Sequence, residues 1–374
     1  MESGCLAPAE PACERVRNTQ ARSQARDYNA PVDNVRIGTS GWSYPSGPGT
    51  WNGIFYPTAR QRRGPRFDEL AYYAEHFDTV EVNASFYRPP DPGTTRKWAQ
   101  RTPSDFDFSL KLFQKFTHPT MYRTSRRPGA MPDTEASPVP VVSLGDVDMF
   151  KAAIDPLARA GKLGALLTQF PPSFRKSAET QSYLAWLLHT FREYPMVVEL
   201  RHRSWSDHVG DTLALLTAHH AAWAQIDEPK FRFSIRQDLL PNVRGLYYMR
   251  LHGRNAEQWW THDHPDERYN YLYSPQELQG FTETIATVRR LVQKIYVYMN
   301  NHFAAKAVAN AATLRHQLHQ SVPGRYTDGM LRRYAFMQKF AAGTPSGDAD
   351  TLFGEGDEGG QGKKPAGDAE PREE

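Results

Sequence analysis

Residues 79–88 read Thr79-Val80-Glu81-Val82-Asn83-Ala84-Ser85-Phe86-Tyr87-Arg88, and they constrain the chain more than any other stretch. Val80, Val82 and Ala84 fall on one face of an extended strand, with Glu81, Asn83 and Ser85 on the other. An edge strand would turn that polar face to water. The same alternation recurs in strand-like segments at 106–112, 196–201, 246–253 and 294–301. These segments are separated by stretches of helical spacing. In a parallel sheet wrapped by helices the apolar face meets the helices, so the polar face must point inward. An interior that polar requires partners, water or a ligand.

The order of segments gives the fold class. Strands are expected at 35–42, 79–88, 106–112, 163–170, 196–201, 222–227, 246–253 and 294–301. Between them, helices are expected at 67–76, 95–101, 146–160, 178–191, 207–219 and 275–291, with a last one at 304–319. Residues 228–244 show no convincing helical pattern, so the repeat is irregular between strands six and seven. Eight strands alternating with about seven helices predict an α/β fold, a TIM-like (β/α)8 barrel in a single domain. A doubly wound open sheet would place a helix directly after a Gly-rich first turn. Here Gly38-Thr39-Ser40-Gly41 runs into a Gly/Pro-rich loop over 43–57.

Composition bounds the ends and the setting. Residues 1–33 lack periodicity and are expected to form a disordered N-terminal arm, 34–342 the barrel, and 343–374 an acidic low-complexity tail. The tail carries about −6 and the arm about −1; against a total of +3 this leaves about +10 for the body. Such a body suits anionic ligands. Cys5 and Cys13 both lie in the arm, which excludes a disulfide framework and a four-cysteine zinc site within the body. No apolar run approaches the length of a membrane span, and residues 1–17 lack a signal-peptide core. The chain is therefore expected to be cytoplasmic, with no membrane partner; composition leaves the oligomeric state open. The connection 118–145 exceeds ordinary loop length.

At this point the sequence resembles a known family. Gly38-Thr39-Ser40-Gly41-Trp42-Ser43-Tyr44 with Phe55-Tyr56-Pro57 is similar to the opening of the YecE-like family, domain of unknown function 72. The likeness continues through 79–88, Gln169-Phe170-Pro171-Pro172-Ser173-Phe174, and Val198-Glu199-Leu200-Arg201-His202 with Ser204-Trp205. It extends through Arg250-Leu251-His252-Gly253-Arg254-Asn255 and Asn300-Asn301-His302 with Ala309-Asn310-Ala311, so that the blocks span 37 to about 315. The resemblance implies a TIM-like barrel and no established activity, with a loose relation to sugar isomerases. Ala304-Ala305-Lys306 departs from the family pattern, where glycine often follows the Asn-Asn pair, and Thr168 replaces a more usual apolar residue.

Parity places Ser40, Glu81, Asn83, Lys111, Gln169, Glu199, Arg201, Asp227, Arg250, His252, Tyr298 and Asn300 inside the barrel. Most lie near strand C-termini, where barrels of this class carry their sites. Glu81 and Glu199 are the candidate catalytic pair, one acid and one base if their environments split their pKa values. The competing reading is that they neutralise Lys111, Arg201 and Arg250. Ser40, Trp42, Asn83, Lys111, Gln169, Arg201, Asp227, Arg250, His252, Arg254 and Asn300 are the candidate ligand-binding residues. The arginines suit carboxylate or phosphate.

The expected function is acid/base chemistry on a small anionic, sugar-like or phosphorylated metabolite, as an isomerase or hydrolase. No cofactor is expected. Glu81, Glu199, Asp227 and His252 are ligand types for a divalent metal, but neighbouring arginines would repel one, so a metal-dependent isomerase or phosphodiesterase is the alternative. The non-enzymatic alternative is a nucleic-acid-binding barrel. It would use Arg60, Arg62, Arg63 and Arg66 with Arg123, Arg126 and Arg127, and aromatics such as Trp51, Trp259 and Trp260.

Overall fold

A computed structural model describes residues 34–62, 67–126, 139–237 and 241–344. Residues 1–33 and 345–374, with Cys5 and Cys13, and 127–138 of the 118–145 connection lie outside the described residues. Its strands are β1 (Val35–Ser40), β2 (Thr79–Val82), β3 (Asp107–Lys111), β4 (Leu163–Gln169), β5 (Met196–Glu199), β6 (Ala222–Trp223), β7 (Gln225–Asp227), β8 (Leu246–Leu251) and β9 (Lys294–Met299). The helices are α1 (Glu69–Ala74), α2 (Ala84–Tyr87), α3 (Pro92–Gln100), α4 (Pro119–Arg126), α5 (Leu144–Arg159), α6 (Ala178–Thr190), α7 (Arg203–Ser206), α8 (Val209–Ala218), α9 (Pro275–Val288), α10 (Lys306–Gln317) and α11 (Asp328–Arg333).

All strand pairings are parallel, in the order β6-β5-β4-β3-β2-β1-β9-β8-β7. The two ends of that order, β6 and β7, are consecutive in the chain and separated only by Ala224. They are two halves of the single sixth strand expected from sequence. One half pairs with β5 and the other with β8, so the sheet curls into a nearly closed α/β barrel. In the described part of 228–244 there is no helix, as the missing periodicity predicts.

Local chemistry accounts for several helix starts. Ser143 and Asp146, Ser177 and Thr180, and Ser274 and Glu277 form reciprocal capping boxes on α5, α6 and α9. The short α2 and the α4 turn were not expected from periodicity; at four and eight residues they offer too few turns to show it. Ala304 and Ala305 both take left-handed φ, 52° and 62°, at the place where the family pattern favours glycine.

The core has two parts. A large apolar shell fills the space between strands and helices. Inside the barrel, Tyr248, Tyr296 and Tyr298 pack against Ala165, Leu167, Val197, Ala222, Ala224 and Leu246. Barrel interiors are usually layers of branched aliphatics; here three large rings share the interior with three alanines, two leucines and a valine. Their hydroxyls are satisfied. Tyr296 donates to Asp107 at 2.9 Å, Tyr248 donates to Glu81 at 2.7 Å, and Tyr298 bonds Thr79 at 2.6 Å and Ser109 at 2.9 Å.

This packing corrects one parity assignment. Ala222 and Ala224 point inward into the tyrosine cluster, so Trp223, Gln225 and Asp227 fall on the other face. Asp227 lies in register with Leu251 of the outer core, not with Arg250.

Candidate functional site: a buried arginine bridging two glutamates

The C-terminal ends of the strands deliver the site. Ser40, Lys111, Gln169 and Glu199 are the last residues of β1, β3, β4 and β5, and Arg250 is the penultimate residue of β8. Arg201, His252 and Asn300 follow their strands within two residues.

Arg250 is the hub. Its Nη2 donates to Glu81 Oε1 at 2.6 Å and its Nε to Glu81 Oε2 at 2.9 Å, a paired guanidinium–carboxylate contact. Nη1 reaches Glu199 Oε2 at 2.5 Å and Gln169 Oε1 at 3.3 Å. Glu81 also accepts from Ser40 Oγ at 2.8 Å and from Tyr248. Glu199 accepts from Arg201 Nε at 2.8 Å, and Arg201 Nη1 lies 3.2 Å from Glu228. Arg250, Glu81 and Glu199 are essentially without solvent exposure, at 1%, 0% and 0% of their side-chain surface. Charges this deep survive only with such a full set of partners.

The electrostatics follow from the contacts. Burial pushes the Glu199 carboxyl up, but Arg250 and Arg201 outweigh it and hold the group well below the usual carboxylate range. Burial acts to lower the Arg250 pKa, yet Glu199 and Glu81 raise it well above its ordinary value, so the guanidinium is permanently charged. His252 is fully buried; burial and then the fields of Arg250 and Arg201 keep it neutral, far below its ordinary value. Its Nδ1 lies 2.7 Å from Asn300 Nδ2, which makes Nδ1 the acceptor and leaves Nε2 facing Arg201 and Arg250 at 3.4 Å each. Burial raises the Glu228 carboxyl against the pull of Arg201.

Lys111 differs from its neighbours. Its Nζ lies 3.9 Å from the centre of the Phe86 ring, and among the described residues no carboxylate comes within ion-pair distance of it. The Oγ of Ser85 donates to the carbonyl oxygen of Lys111 at 2.7 Å, which ties α2 to the end of β3 and sets Phe86 against the lysine. Burial, followed by the repulsion of Arg250 and Arg201, lowers the ammonium from 10.5 to about 7. His118, beside the same ring at 4.8 Å, is lowered to about 3 by burial and by Lys111.

Ser40, Glu81, Lys111, Gln169, Glu199, Arg201, Arg250, His252 and Asn300 are thus gathered at one end of the barrel. Others expected with them stand elsewhere. Asp227 is held by Arg254 at 2.8 and 3.0 Å and by the hydroxyl of Tyr273 at 2.7 Å, on the outer side of the sheet, so neither Asp227 nor Arg254 joins the cluster. The cause is the inward parity of Ala222 and Ala224 described above. Trp42 packs edge-on against Trp98 at 5.4 Å. Asn83 leaves β2 in helical geometry and heads α2, with its Oδ1 buried and without a hydrogen-bond partner.

Among the aromatic and arginine loops, Trp51 is fully buried and donates to the His302 carbonyl, and Trp259 is buried as well. Trp260 is 56% exposed and sits 5.6 Å from Phe231 and 6.2 Å from Phe233. The Arg62 guanidinium stacks on Phe67 and donates to Asn52; Arg63, Arg66 and Arg127 lie outside the described residues, and so does the Arg126 side chain.

Tyr248, Glu228, Phe86 and His118 were not singled out from sequence. Tyr248 shares the parity of Arg250 and was accessible to the alternation argument. Glu228, Phe86 and His118 lie in loops or short helices, where no periodicity aims a side chain.

Among the described residues no group of three or more His, Cys, Asp or Glu side chains is arranged to hold a metal ion, and Arg250 occupies the space between the two glutamates. No helix there is long and apolar enough to cross a membrane.

The chain matches the family described as "Protein of unknown function DUF72" over residues 36–330. A curated relative, UPF0759 protein YunF of Bacillus subtilis, is 28% identical over 284 residues, covering 74% of this chain and 92% of that one. A crystal structure of a DUF72 family protein from Thermotoga maritima is 29% identical with a TM-score of 0.61, covering 76% of this chain and 99% of the other. A DUF72 family protein from Enterococcus faecalis, 24% identical with a TM-score of 0.61, covers 79% and 100% and supports the fold.

Proposed function

Since this chain belongs to the DUF72 family, whose description assigns no activity, we propose from its site alone that it is an enzyme acting by proton transfer on a small anionic, sugar-like or phosphorylated metabolite at the C-terminal mouth of the barrel. The single observation that carries this reading is Lys111, an amine at a strand C-terminus that faces the Phe86 ring and, among the described residues, no acid partner, with its ammonium lowered to about 7. A group of that pKa exchanges protons readily at neutral pH.

The other residues support the chemistry around it. Arg201 retains 13% side-chain exposure and offers a guanidinium for a carboxylate or phosphate. Gln169 and Asn300 supply amides for hydroxyl groups. Glu81 and Glu199 have their oxygens occupied by Arg250, Arg201, Ser40 and Tyr248, and Glu199 is held strongly acidic. Carboxylates so engaged are weak proton acceptors, which favours their holding Arg250 and Arg201 in place over a direct acid/base role. The alternation that marked them as a pair remains meaningful, because they set the geometry of both arginines.

The test is ligand-induced thermal stabilisation. Sugar phosphates and sugar acids should raise the midpoint of the wild-type protein by mass action. The rise should disappear in Arg201→Ala while that variant still unfolds cooperatively. Equal stabilisation of both proteins, or none of either, would remove the reading.

A further inference from the structure

Lys111 is placed for more than proton exchange. It stands at the end of β3, its ammonium faces an aromatic ring in place of a carboxylate, and Arg250 and Arg201 act on it electrostatically. The titratable groups around it are Glu81 on β2, Glu199 and Arg201 at the end of β5, Arg250 and His252 at the end of β8, and His118 beside Phe86. Every nearby carboxylate among them is already engaged: Glu81 by Arg250, and Glu199 by Arg250 and Arg201. An ordinary structural lysine spends its charge on an acid or on backbone carbonyls, as Lys162 does with Ala99 and Thr102, and as Lys294 does with Asp107. Among the described residues, Lys111 does neither. A buried or half-buried amine among cations is the environment that makes lysine a nucleophile.

We propose that Lys111 forms a covalent imine with the carbonyl group of an aldehyde or ketone substrate, an assignment that rests on the mouth of the barrel being a ligand site for anionic, sugar-like compounds. The neutral amine attacks the carbonyl carbon, a C–N bond forms, and the proton shed by nitrogen goes to the carbonyl oxygen. The carbinolamine then loses that hydroxyl with one further proton as water, while the nitrogen lone pair closes the C=N bond. Amine and carbonyl are converted to imine and water, with no oxidant or reductant. When protonated, the imine draws electrons from the adjacent carbon and acidifies its C–H bond. That is the activation a hydroxy-aldehyde or hydroxy-ketone needs for rearrangement. Arg201 suits a phosphate or carboxylate on the same molecule.

The experiment is reductive trapping of the full-length protein with glyceraldehyde 3-phosphate and sodium cyanoborohydride, followed by intact mass and peptide mapping. The expected result is an adduct on Lys111 at least tenfold above that on any other lysine, with a trapping rate that rises through pH about 7. Because the comparison between lysines is internal to the wild-type protein, it does not depend on how a variant folds. Lys111→Arg should lose the site-selective adduct. Adducts spread evenly over lysines such as Lys97 and Lys151 would overturn the proposal, and so would unchanged labelling of Lys111→Arg.

A parallel arm uses sorbitol 6-phosphate, which has the phosphate and hydroxyls but no carbonyl. If it stabilises the wild type but not Arg201→Ala, while no selective adduct forms, the imine falls and the ligand site stands. If neither ligand stabilises and nothing is trapped, both fall.

Discussion

Arg250 and Glu81 face one another through two parallel hydrogen bonds, 2.6 Å and 2.9 Å, deep in a barrel where such positions are usually aliphatic. The third nitrogen of the same guanidinium takes Glu199 at 2.5 Å, so one cation ties β2, β5 and β8 together. Replacing Arg250 by Met would keep much of its volume and strip two buried carboxylates of their partner. Losing one partner of a buried pair costs about 3–5 kcal/mol, and Arg250→Met should lie at the upper end or beyond in a denaturant titration at pH 7.

The deficit of that variant should shrink in acid. In the wild type the folded-state pKa of Glu199 is depressed, so its stabilisation is present above the unfolded value and lost only as pH falls through the folded one. Without Arg250 much of that depression disappears and Glu199 protonates at higher pH. Wild-type and variant unfolding curves should therefore converge below pH about 4. A gap that stays constant from pH 7 to pH 3 would show that Arg250 acts by packing alone.

Lys111 should give a pH signature of the same sign in a higher window. Its folded-state pKa is lowered from 10.5 to about 7, so between those values the native state holds fewer protons than the unfolded chain. Stability from this group is then fully present above the unfolded pKa and is lost as pH falls through about 7. Comparing wild type with Lys111→Met from pH 6 to pH 10 isolates it. The wild type should gain stability with rising pH relative to the variant, and parallel curves would mean that the amine is solvated like a surface lysine.

Arg254 and Arg201 make a paired test of placement. Arg254 is 42% exposed and bonds Asp227 on the outer side of the sheet, whereas Arg201 is 13% exposed and shares Glu199 with Arg250. Arg254→Ala should cost roughly 0.2–1 kcal/mol, the range of exposed pairs. Arg201→Ala leaves Glu228 without its cation and Glu199 with one arginine fewer, and should cost about 3 kcal/mol or more. Equal costs would contradict the placement of Asp227 outside the barrel.

The contrast between these arginines also marks what the sequence could and could not tell. Alternation placed Glu81, Glu199 and Arg250 correctly on one face because β2, β5 and β8 are unbroken and a one-residue slip would have exposed their valines and leucines to the wrong side. In the sixth strand, polarity pointed to Asp227 as interior, whereas Ala222 and Ala224 pack into the tyrosine cluster and leave Asp227 on the other face. Ala222 and Ala224 pack with Tyr248, Tyr296 and Tyr298, and that contact is set by residues about 25 to 75 positions away. The same holds for Lys111: its strand and face were legible, but the Phe86 ring that replaces a carboxylate comes from a four-residue helix that carries no periodic signal. Contacts made by unbroken strands could be read, and those set by loops or by packing from distant residues had to be seen.

Gly38 offers a test of how the two strands nearest the site are held. A Cβ at this position in β1 would lie 2.1 Å from the carbonyl oxygen of Thr79 in β2, and that atom belongs to backbone. No rotamer can relieve the clash, so β1 and β2 would have to separate next to the Thr39–Val80 and Ser40–Glu81 pairs. Gly38→Ala should cost about 3 kcal/mol, the upper part of the usual overpacking range. It should also lengthen the 2.8 Å bond from Ser40 to Glu81 and so loosen the glutamate that anchors Arg250. Gly280, inside α9 with nothing within 4 Å of an added Cβ, is the control of opposite sign. There the alanine should stabilise by about 0.5–1 kcal/mol through lost chain entropy. Chemical denaturation of the two variants decides it: stabilisation by both would mean that β1 and β2 can move apart without strain, and the close approach at Gly38 would then carry no part in fixing Glu81.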